Sequence, residues 1–84
     1  MDEKEVKLIV TKVLEQHHCL KYSFQRSGDK NDLVISVLFS LSKEDAMEVY
    51  ERLRNGANFY SFGWYLSPLF AGEETEFKID IKKV

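Results

Sequence analysis

Eighty-four residues, 44% hydrophobic and 31% charged, suffice for one hydrophobic core but not two, and the chain falls outside the low-hydrophobicity, high-charge range of disorder. Twelve basic against fourteen acidic residues leave a formal charge of -2, which excludes a net positive field for phosphate backbones and is too slight for an acidic mimic of DNA. The single cysteine, Cys19, excludes an intrachain disulfide, and no apolar run approaches the roughly 20 residues that span a bilayer.

The expectation is one compact domain over residues 1–84, cytoplasmic and not membrane-bound, because a lone cysteine fits a reducing compartment and MDEKEVK is unlike a signal peptide. Val6, Ile9, Val10, Val13 and Leu14 fall at i, i+3, i+4, i+7 and i+8, the stripe of an amphipathic helix from Asp2 to about His17. Acidic residues at its start and His17 and His18 at its end suit the helix dipole. Leu20, Tyr22 and Phe24 then alternate with polar residues, the period of a half-buried strand. The polar turn Ser27–Asn31 leads to a second strand over 32–40, with Leu33, Ile35, Val37 and Phe39 on one face and Val34, Ser36, Leu38 and Ser40 on the other.

Ser42-Lys43-Glu44-Asp45 matches a helix-start signal, followed by Ala46, Val49, Tyr50 and Leu53 at helical spacing and by Asn55-Gly56 as a left-handed stop. Residues 58–70, NFYSFGWYLSPLF, hold six of the eleven aromatic residues. Read as a strand, this stretch puts Tyr60, Phe62, Trp64 and Leu66 on the core face and Phe59, Tyr65 and Leu69 on the other, with Pro68 interrupting the ladder. After a turn at Ala71–Glu74, Phe77, Ile79 and Ile81 alternate with Glu76, Lys78, Asp80 and Lys82 in a last strand.

The predicted fold is a two-layer α+β domain, αββαββ, with two helices on one face of a four-stranded mixed or antiparallel sheet. Charged outer faces place the first and last strands at the edges, with the strands at 32–40 and 58–69 central and parallel to each other. The face away from the helices then carries Val34, Leu38, Phe59, Tyr65 and Leu69 among small residues, a patch of the kind that marks an interface.

Candidate chemistry is sparse. His17-His18-Cys19 is the one cluster of metal-ligand types, but adjacent helical side chains diverge by about 100° and the spacings of a structural zinc site are missing, so no metal or cofactor is expected. The four glycines form no phosphate loop, Glu73, Glu74 and Glu76 read as solvated charge, and no catalytic residues are assigned. No motif names a family. The expectation is a non-catalytic protein-interaction module that forms a homodimer or binds and inhibits a larger protein by occlusion. Its size and lack of catalytic signatures are analogous to those of phage-type viral inhibitors. The alternative is a single-stranded nucleic-acid-binding domain stacking bases on Phe59 and Tyr65, with Lys21 and Arg26 supplying part of the charge.

Overall fold

The computed structural model describes residues 1–84 as two α-helices on one face of an antiparallel sheet of five strands. Helix α1, Glu3–Gln16, starts where Asp2 accepts the Glu5 amide at 2.9 Å, and its stripe buries Val6, Val10 and Leu14 completely. Burial of three such side chains contributes roughly 1.5–3 kcal/mol each. The helix ends in a Schellman arrangement: the Cys19 amide bonds the Leu14 carbonyl, the His18 amide bonds that of Glu15, and His18 takes the left-handed position at φ 56°. That backbone reversal sends His17 and His18 in different directions, and the Cys19 thiol is buried 3.5 Å from the Lys21 and Ser40 carbonyls.

Helix α2, Lys43–Gly56, is capped by Ser42, whose Oγ accepts the Asp45 amide at 3.2 Å, and it buries Ala46, Val49 and Leu53. The helix runs through Gly56, which keeps a negative φ; the left-handed residue that turns the chain is Asn58. The expected stop therefore falls two residues later.

Strands β1, Tyr22–Ser27, and β2, Val34–Ser40, form the expected hairpin, with Phe24 opposite Val37. Gly28 at φ 82° and Asp29, whose Oδ1 accepts the Asn31 and Asp32 amides, shape the connection. The short strands β3, Trp64–Leu66, and β4, Phe70–Ala71, both pair with β5, Glu76–Lys83. The order β1-β2-β5-β3, with every pair antiparallel, corrects the expected arrangement in two respects: the last strand is central, flanked by β2 and by β3 and β4, and the 58–69 stretch expected beside β2 lies instead at the edge, separated from β2 by β5. The charges of β5 mark a strand with one wet face, and that property carries no information about its lateral position. Phe77, Ile79 and Ile81 are all buried beneath the helices while Lys78, Asp80 and Lys82 alternate onto the open face.

The aromatic stretch is also not one strand. Phe59–Phe62 form a 3-10 turn between the left-handed residues Asn58 and Gly63, and only three residues of regular strand follow. Fifteen buried residues make one core cluster, to which this stretch contributes Phe59 and Trp64. Trp64 Nε1 donates to the Met1 carbonyl at 3.0 Å, and Lys83 lies 4.8 Å from its ring centre.

Candidate functional site

The register fixes which side chains share the open face. Across the sheet run the rows Ser23, Leu38, Lys78 and Phe70, then Gln25, Ser36 and Asp80, then Ser27, Val34, Lys82 and Tyr65. Three of the five residues expected on this face are there: Val34 and Leu38 are half-buried on β2, and Tyr65 on β3 is exposed. They do not form an unbroken apolar patch, because the central position of β5 draws a stripe of Lys78, Asp80 and Lys82 between them.

Phe59 and Leu69 are elsewhere. Phe59 is 3% exposed because the 3-10 turn abolishes the alternation of a strand and rotates its ring into the core, while Tyr60 and Phe62, expected inside, face solvent. Leu69 packs against the core cluster because a bulge separates β3 from β4. From Leu66 to Phe70 the outer chain takes four steps while β5 takes three, from Ile81 to Lys78. One extra residue exchanges the two faces. Pro68, without an amide hydrogen, sits within the bulge, and Ser67 closes it: its amide donates to the Asp80 carbonyl at 2.9 Å and its Oγ accepts the Asp80 amide at 3.1 Å.

The same bulge delivers Phe70 to the open face, where it is 60% exposed opposite Lys78. Lys78 Nζ lies 5.8 Å from the Phe70 ring centre and 3.9 Å from Asp80, whose other oxygen accepts the Ser36 hydroxyl at 2.6 Å. Between Leu38 and Phe70 the surface sinks into an open trough of about 550 Å³, with Lys21, Glu76 and Lys78 among its polar borders. This volume lies in the range of ligand-binding clefts, and its make-up of apolar sides with a few charges is theirs as well. A smaller hollow of about 230 Å³ lies at the β3 edge between Arg54, Tyr60 and Tyr65.

Phe70 and Lys78 were outside the expected patch. The signal for Phe70 is Ser67-Pro68, a pair that disrupts strand parity; Lys78 is legible as an outward residue of the last strand, whose charges suggest an edge. What the trough offers chemically is apolar contact, a cation beside an aromatic ring and a second cation at its end. No helix of the molecule is long and apolar enough to cross a membrane. No protein-family model matches the chain, and comparisons with curated proteins and with solved structures also give no match.

Proposed function

We propose that this chain is a small, non-catalytic, cytoplasmic protein-binding module that seats a segment of a partner protein on its open sheet face. A large apolar side chain of the partner occupies the trough between Leu38 and Phe70, and an acidic side chain pairs with Lys78 or Lys21. The observation that carries this reading is the trough itself, with two lysines and one glutamate among its borders, a balance that favours an acidic neighbour. Tyr65 and Phe70 are exposed aromatic side chains of the kind that supply most of the energy at protein interfaces. Its effect on the partner is occlusion of the bound surface.

A displayed random-peptide library, selected on the purified protein, tests this. Enriched peptides should pair a large apolar residue with a nearby Asp or Glu, and Phe70→Ala or Lys78→Glu should weaken them by roughly 30-fold or more. Peptides without that pattern, or binding equally to both variants, refute the proposal. Dimerisation that Phe70→Ala abolishes would make the occupant a second copy of the chain.

One observation favours the nucleic-acid alternative: Lys82 faces Tyr65 and Lys78 faces Phe70, two cross-strand pairs of cation and aromatic ring. Asp80 and Glu76 on the same face weigh against it. Salt-sensitive binding of labelled single-stranded DNA or RNA, lost in Lys78→Glu, would replace the protein reading with this one.

A further inference from the structure

A second cluster of polar side chains lies in the helix layer, where the end of α1 meets the start of α2. The His17 side chain is only 8% exposed, and its Nε2 is buried with no hydrogen-bond partner. Its Nδ1 is aimed at two carboxylates, Asp45 Oδ1 at 3.8 Å and Glu48 Oε2 at 3.7 Å, distances too long for hydrogen bonds. Asp45 and Glu48 stand three residues apart on one face of α2, and neither is within ion-pairing distance of a lysine or arginine. Two carboxylates therefore converge on the Nδ1 of a largely buried imidazole without a full cation to neutralise them.

We propose that His17, Asp45 and Glu48 bind a divalent transition-metal ion of the zinc class through Nδ1 and one oxygen from each carboxylate. The remaining positions are open to water or to a ligand from another molecule. The three donor atoms already lie within 4.8 Å of one another. Tetrahedral coordination at about 2.0–2.1 Å sets donor atoms about 3.3–3.4 Å apart, so the cluster needs to close by several tenths of an ångström to about 1.5 Å. His17 is fixed by burial, whereas the Glu48 side chain is 65% exposed and free to swing inward. Asp45 is oriented from behind: its Oδ2 accepts the Ser42 hydroxyl at 3.1 Å, which leaves Oδ1 for the ion, in the manner of a carboxylate held by an outer hydrogen bond. One imidazole with two carboxylates suits zinc, cobalt(II) or nickel(II) better than calcium, which takes six to eight oxygens.

The arrangement escaped the sequence because the candidate cluster there was His17-His18-Cys19, whose members diverge, while the partners of His17 come from the other helix. An ion at this point clamps α1 to α2, so binding appears directly as stability.

The test is zinc chloride titrated into tag-free protein at pH 7.5, by calorimetry and by thermal denaturation. One ion per chain is expected, and zinc at about tenfold excess over Kd should raise Tm by roughly 5–10 °C. Glu48→Gln and His17→Gln should bind at least tenfold more weakly, and His18→Ala should bind as the unmodified protein does. Glu48→Gln changes an exposed side chain, so it decides the matter even where His17→Gln is poorly folded. Absence of binding up to millimolar zinc overturns the proposal, as does undiminished binding in Glu48→Gln or loss of binding in His18→Ala.

Discussion

Replacement of Phe59 tests the conformation of the aromatic stretch most directly. In a strand, Phe59 and Phe62 would lie on opposite faces with Phe62 inside; in the 3-10 turn, Phe59 is 3% exposed and Phe62 is 53% exposed. Removal of a buried phenylalanine side chain to alanine costs about 3–5 kcal/mol. At roughly 0.05–0.15 kcal/mol per residue, 84 residues correspond to a total stability of about 4–13 kcal/mol, so Phe59→Ala would remove a large part of it. Phe59→Leu keeps most of the volume and should cost about 1–2 kcal/mol, a fall in Tm of roughly 4–16 °C for a domain of this size. Phe62→Ala should cost under about 1 kcal/mol, since half of its surface is already in water. Urea titrations followed by Trp64 emission and far-ultraviolet circular dichroism give all three values. A Phe62→Ala variant less stable than Phe59→Leu would refute the turn and restore the strand.

Other substitutions probe the backbone. His18→Gly should stabilise the fold by about 0.5–1 kcal/mol, read as a higher Tm, because a left-handed histidine at φ 56° is replaced by the residue that adopts this conformation without steric cost. Gly63→Ala should cost about 1–2 kcal/mol in urea titration for its φ of 87° alone, since open space surrounds the new methyl group. Gly28→Ala should cost at least about 1 kcal/mol more than Gly63→Ala, because its methyl group would overlap the Asp32 backbone carbonyl. Ser67→Ala leaves the part-buried Asp80 amide without its acceptor and should cost about 1–2 kcal/mol, with faster exchange of that amide hydrogen by NMR.

The elements that follow a single period could be read from the sequence. The stripe of α1, the Ser42 start of α2 and the alternations of β1, β2 and β5 all report the burial of one face, and they give the two-layer α+β architecture. Lateral order was not encoded in that signal. A half-buried strand shows the same alternation at the centre of a sheet as at its edge, so the pattern of β5 does not reveal its central place. Parity also failed wherever the backbone left the extended region: Asn58 and Gly63 bracket a turn that buries Phe59, and one extra residue around Pro68 exchanges Leu69 with Phe70. Val34, Leu38 and Tyr65 were placed correctly because each lies in a regular strand. Convergence of His17 with Asp45 and Glu48 depends on how two helices pack, which no local pattern records.

The central place of β5 constrains when this fold can form. Residues 76–83 follow the other elements in sequence, yet β2, β3 and β4 all pair with them. Before they arrive, the hairpin of β1 and β2 can close, but β3 and β4 have no neighbour and the buried faces of both helices lack much of the floor they pack on. Pairings such as Val34 with Lys82 join distant parts of the chain, so their loops must close before any contact repays the entropy. Completion of the sheet therefore waits on residues 76–83, and until they pair, the apolar stripes of the helices and the aromatic segment lack part of their cover.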